Sequence, residues 1–172
     1  MRHVFPTDQI AHKWAHQTQD NARNGQGNLF FEQEILFSYR HSYPIAKLYK
    51  KYTATLVLLN SDTYSVTTAR HIALARYATN HLTQCHVPHI IIATDSVSDL
   101  LTHEANLKYL LDQTLALQNK AGRAQSLSTV EYLERQAVEQ YNQAIAYNNF
   151  FQVYPELVPC PSFQASKDRR IR

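Results

Sequence analysis

The stretch Thr53-Ala-Thr-Leu-Val-Leu-Leu59-Asn-Ser-Asp-Thr-Tyr-Ser-Val-Thr-Thr-Ala-Arg-His71 changes its period midway, and that change decides the fold class. Up to Leu59 it is short, apolar and β-branched, which fits a strand buried on both faces and the central one of a sheet. From about Thr67 the apolar residues recur every three to four positions. Ile72, Ala75, Ala78 and Leu82 mark one face of a helix running to about Thr83.

Working outward, His89-Ile-Ile-Ile-Ala93 reads as one more buried strand. Upstream, Leu29-Phe-Phe31 and Ile35-Leu-Phe-Ser-Tyr39 flank Glu32-Gln-Glu34 as a tight hairpin, and Pro44–Lys50 adds a strand. Thr7-Asp8 after Pro6 is a helix start, and Ile10, Ala11, Trp14 and Thr18 predict a helix over 7–23, stopped by Asn24-Gly-Gln-Gly27. Beyond the sheet, 98–120 is leucine-rich, and Ser128-Thr-Val-Glu131 reads as a capping box opening a second long helix. Gly122 falls between the two, which predicts an antiparallel helical hairpin with Tyr132 and Tyr141 packed inward. The expected class is therefore α+β: an N-terminal helix, a small mainly antiparallel sheet with a helix before its last strand, and a C-terminal two-helix hairpin. The expected layout is a single domain over 1–153, with a helix/sheet core at 7–93 and the hairpin at 98–151. A Pro-rich, basic tail occupies 154–172.

With 172 residues, 44% of them hydrophobic, the chain can build a core without staples. Two cysteines, Cys85 and Cys160, are too few for a disulfide framework or a zinc knuckle, and Cys85 reads as an ordinary thiol at a helix end. No run approaches the ~20 apolar residues that span a bilayer, and the first six residues lack the apolar core of a signal peptide. The expectation is a cytosolic protein without a membrane partner. A net charge of +3 is too weak to name nucleic acid by itself. The excess of positive charge lies in residues 1–94 and in Lys167–Arg172.

Two segments concentrate chemistry. Asn60–His71 brings hydroxyls, Asp62, Arg70 and His71 to a strand-to-helix junction, where unpaired N–H groups and the helix dipole favour an anion. Ser65, Thr67, Thr68 and Arg70 are the candidate anion ligands; the simpler reading is that Ser65 or Thr67 is the N-cap that every helix needs. Ser38-Tyr-Arg-His-Ser-Tyr-Pro-Ile-Ala46 presents Arg40 and His41 in a loop between strands. His41 and His71 together suit acid–base work on a phosphodiester or, alternatively, could bind a metal with Asp62, provided that the two loops meet. His12 and His16 stand four apart on the first helix but lack an evident third ligand, so no metal and no cofactor is expected. The three glycines leave no room for a P-loop or a nucleophile elbow.

Three ordered blocks, Ala11-His-Lys-Trp-Ala-His-Gln17, Ser38–Ala46 and Asn60–His71, resemble a family of small uncharacterised proteins encoded mainly by bacteriophages and also by plasmids. The blocks cover roughly residues 10–92 and leave out the C-terminal helices. The resemblance implies an accessory protein working in a bacterial host cytoplasm and brings no assigned activity. One departure is Glu32-Gln-Glu34, where the family pattern leads one to expect a glycine-containing turn.

Three functional expectations follow. The first is a non-catalytic module that binds nucleic acid or a host macromolecule through Arg40, His41 and Ser65–His71. The second is a small phosphodiesterase or nuclease using His41 and His71. The third is a virion or oligomeric structural component, a homo-oligomer held through the C-terminal helices.

Overall fold

The computed structural model describes residues 2–52, 54–92 and 96–155, without the side chains of 96–98. The tail expected from 154 therefore lies, from 156 onward, outside the described residues, as does Cys160. Two compact units divide the chain, Met1–Thr102 and His103–Arg172, where the sequence reads as a single domain.

The first unit carries a seven-stranded sheet whose spatial order equals its chain order. Its elements are β1 (Val4–Phe5), α1 (Thr7–Ala15), β2 (Asn21–Asn24), β3 (Leu29–Glu32), β4 (Ile35–Ser38), β5 (Pro44–Lys51), β6 (Ala54–Asn60), α2 (Val66–Ala78) and β7 (Thr83–Val87). Strands β2 to β6 form an antiparallel meander, and each edge strand, β1 and β7, is parallel to its neighbour. A helix makes each parallel connection, as a crossover requires. With the four helices of the described residues, the class is α+β.

Both α1 and α2 pack on one face of the sheet. Ile10 and Trp14 from α1 and Ile72 and Ala75 from α2 meet Ala22, Phe31, Leu36, Leu48, Val57 and Leu59 in one buried cluster. Trp14 is wholly buried as expected, and its indole N–H donates to the Glu34 carbonyl at 2.8 Å. Strand β6 is the most apolar, with Leu56, Val57, Leu58 and Leu59 all buried. It lies between β5 and β7 near one edge instead of at the centre.

The helix expected over 7–23 ends at Ala15. Gln17 adopts a left-handed φ of 49°, Gln17 N–H donates to Trp14 O, and Thr18 N–H donates to Lys13 O. This is the Schellman end of a helix, usually built on glycine. Here Gln17 fills the position and its side-chain amide donates to the Trp14 and Gln33 carbonyls, tying the helix end to the hairpin turn. The chain is thereby released early enough to form β2.

The strand expected at 89–93 is also displaced. The ladder partner of β6 is Thr83–Val87, and Pro88, which has no N–H to donate, ends it. Ile90 and Ile91 are buried outside any strand, while Ala93 lies outside the described residues. Lys47 Nζ donates to the Ile91 carbonyl, so this segment lies on the face of the sheet opposite α1 and α2. Cys85, expected at a helix end, sits in β7, where burial pushes its thiol up to about 12.

The helices α3 (Ser96–Arg123), whose first residues up to Thr102 belong to the first unit, and α4 (Leu127–Phe151) pack together as a hairpin. Buried Tyr147 receives a hydrogen bond from Asn106 Nδ2 at 3.1 Å, and its hydroxyl meets His103 Nδ1 at 2.7 Å. Gly122 belongs to the last turn of α3, not to the connector. The expected capping box does not form: Ser126 is the N-cap of α4 without a side-chain cap bond to a backbone N–H, and its hydroxyl meets the Ser128 hydroxyl instead. Tyr141 is buried as expected, but Tyr132 is exposed.

Candidate functional site

Strands β4 and β6 run in the same direction, so the loop after β4 and the junction after β6 emerge at one end of the sheet. The two segments do meet there. Tyr43 donates its hydroxyl to the Asp62 carbonyl at 2.9 Å and lies edge-on to Tyr64 at 5.0 Å. Asn60 donates to the Pro44 carbonyl and accepts from Asp62 N–H, closing an Asx turn.

The candidate side chains divide differently. Ser65 caps α2: its hydroxyl accepts the Thr68 N–H at 3.1 Å and meets the Thr68 hydroxyl at 3.1 Å. The two hydroxyls that seemed available to an anion thus satisfy the helix end, and Thr68 is buried. Thr67 is half-buried, while Asp62, Arg40 and Arg70 are exposed. Replacing Ser65 with alanine is expected to lower stability by about 0.5–2 kcal/mol, read by urea denaturation. A negligible change would mean that the cap contributes nothing.

His71 is buried and exchanges a 2.9 Å hydrogen bond with buried Ser38, a contact the sequence did not announce. Burial first, and Arg70 second, hold its pKa below the usual 6.5, so the imidazole is neutral near pH 7. Ser38 is inaccessible to solvent, so the pair ties β4 to α2 and cannot deliver a nucleophile to a substrate in solution.

His41 goes to the other face. Along β3, Leu29 and Phe31 face the helices, so Phe30 points away from them, paired in register with Phe37 of β4. The two rings stack at 5.2 Å, and the His41 ring covers both at 4.7 and 5.3 Å. His41 Nε2 meets Glu32 Oε1 at 2.8 Å. His41 and His71 therefore occupy opposite faces of the sheet. The structure does not assemble them into one acid–base centre.

Around this aromatic cluster lies an open depression of about 830 Å³, lined among others by His3, Arg23, Phe30, Glu32, Tyr39 and His41. Arg23 belongs to it because β2 alternates, turning Ala22 inward and Arg23 outward. Tyr39 stands at the end of β4, where the two faces meet. Its φ is 65°, and the next N–H, from Arg40, returns to the Ser38 carbonyl to form a γ-turn. The left-handed region is unfavourable for a bulky L-residue by roughly 1–2 kcal/mol, yet it leaves this ring 52% exposed. Strain of this kind concentrates at functional positions.

A second histidine group lies on the helix side. His12 and His16 approach at 4.3 Å, and His16 stacks on His81 at 5.5 Å with the rings 6° from parallel. Parallel rings do not converge their nitrogens on one point. Among the described residues no group of three or more His, Cys, Asp or Glu is placed to hold a metal ion.

No helix among the described residues is long and apolar enough to cross a membrane. Comparison of the chain with protein-family models, with curated proteins and with solved structures gives no match.

Proposed function

We propose that this protein is a non-catalytic binding module that takes single-stranded nucleic acid on the open face of β2–β4. The observation that carries the reading is the Phe30 and His41 ring pair, backed by buried Phe37, on the face opposite α1 and α2, with strained, exposed Tyr39 at its edge. A sheet face with aromatic rings offers bases a stacking surface, and every base has a π-face, so such binding tolerates sequence. Arg23 in the depression and exposed Arg40 in the adjoining turn supply charge for the phosphates. Glu32 is the opposing charge, and its carboxylate is engaged by His41. In keeping with the family resemblance, the module would serve a bacteriophage or plasmid inside the host bacterial cytoplasm.

The test is fluorescence anisotropy with short labelled single-stranded RNA and DNA across a salt series. Affinity is expected to fall log-linearly with salt, by about 0.7 in slope per phosphate contact, and the Arg23→Gln variant to lose one such contact. Tyr39→Ala is expected to weaken binding by about 1–3 kcal/mol, the range for one stacked base. Binding that ignores salt, or that Tyr39→Ala leaves unchanged, would refute the assignment.

A further inference from the structure

A groove of about 360 Å³ lies on the helix side of the sheet, between the outer flank of α2 and the ends of β6 and β7. Because β6 and β7 are parallel and α2 joins them, their carboxyl ends lie side by side at this groove. Ser61 extends the ladder one step past β6, its N–H donating to the Val87 carbonyl. Alternation then turns its side chain to the helix side.

Three features give the groove a chemical character. The Ser61 hydroxyl is shielded from solvent and has no hydrogen-bond partner, which is an unusual state for a buried polar atom. Arg76 is exposed on α2 and lines the groove, and among the described residues no carboxylate lies within ion-pair distance of it. His86, from β7, forms part of the wall; burial, then the nearby Arg76 charge, hold its pKa below the usual 6.5. Ala69 and Ala73 face the same space with small side chains and leave it open.

We propose that this groove binds a phosphate monoester group, with the Arg76 guanidinium as its cation, the Thr63 hydroxyl as a donor and the Ser61 hydroxyl as a second donor once its side chain turns out toward the groove. Arginine matches phosphate oxygens with paired N–H donors. Donors approaching from the β6 loop and from α2 surround a tetrahedral anion better than a planar carboxylate. The phosphate would also offset the charge that Arg76 places beside His86. The site is on the opposite face from the aromatic depression, so it stands or falls independently of the nucleic-acid reading.

NMR titration at constant ionic strength tests it, with inorganic phosphate and adenosine 5′-monophosphate as probes, and chloride and acetate as controls. Expected are saturable shifts of the Ser61 amide and His86 imidazole signals with both phosphates. Tighter binding of the nucleotide would show that the groove also receives the group attached to the phosphate, and equal binding that it recognises phosphate alone. Arg76→Gln is expected to weaken binding about tenfold or more. Ser61→Ala, which leaves the charge intact, should give a smaller loss. Non-saturating shifts, equal response to acetate, or an Arg76→Gln variant with unchanged affinity would overturn the proposal. Arg76 is exposed, so the substitution leaves the core intact.

Discussion

Replacing Trp14 with alanine is expected to remove about 3–5 kcal/mol of stability, the range for truncating a large buried aromatic. Trp14 has no solvent exposure and stands where α1 meets the sheet, among Ile10, Leu29, Phe31 and Leu36. Two losses coincide. A cavity opens in the core, and the Glu34 carbonyl in the hairpin turn loses its indole donor. Native domains are stable by only about 5–15 kcal/mol, so a large share of the folding free energy would disappear. Trp14→Phe separates the two losses, because it keeps most of the volume and removes only the hydrogen bond, worth about 1–3 kcal/mol when a buried acceptor is stranded. Urea denaturation of the two variants reads both values, with a lower midpoint at an unchanged slope. A loss below about 1 kcal/mol for Trp14→Ala would contradict this packing.

The second large effect is a dependence of stability on acid. His71 and His86 both have folded-state pKa values below 6.5, each because burial disfavours the imidazolium, with Arg70 and Arg76 adding repulsion respectively. The unfolded chain therefore binds protons before the folded one. Their contribution is fully present above pH 6.5 and is lost as pH falls from there toward the folded values. While only the unfolded histidines are protonated, each contributes a slope of up to about 1.4 kcal/mol per pH unit. Urea midpoints measured between pH 7.5 and 5.5 should fall with pH. The His71→Gln variant should start lower and fall less steeply. A flat profile, or an unchanged slope in that variant, would show that burial does not hold His71 neutral.

The sequence made the interior legible wherever a residue's chemistry and its local period agreed. Leu56–Leu59 could only be a buried strand, Trp14 could only be core, and the 29–39 hairpin formed without glycine by placing Gln33 at a φ of 50°. What stayed hidden depended on residues doing work usual for others. Gln17 takes the left-handed helix end where glycine is expected, so most of the polar strand Asn21–Asn24 reads as helix in the sequence. Gln84 and His86 interrupt the apolar pattern of β7 because they face α2, where Gln84 donates to the Arg76 carbonyl. The apolar run at 90–92 looked more like a strand than the strand did.

The candidate site shows the same limit. Its two segments were identified and do meet, but through Tyr43, Asp62, Asn60 and Pro44, none of which was assigned the joining contact. Which face His41 would choose rested on the pleat of β3 and β4, and thus on a register that only pairing fixes. Phe30 and Phe37 look like core in the sequence. Phe37 is indeed buried, against the His41 ring, and Phe30 is half-buried; only the structure shows that both lie on the face opposite α1 and α2.

The most direct test of the open-face assignment is a map of backbone amide shifts as a short single-stranded oligonucleotide is added. The expected footprint covers Asn21, Arg23, Phe30, Glu32, Phe37 and Tyr39 and spares Ser65–His71. A footprint confined to Ser65–His71 and the start of α2, with β2–β4 unchanged, would contradict it.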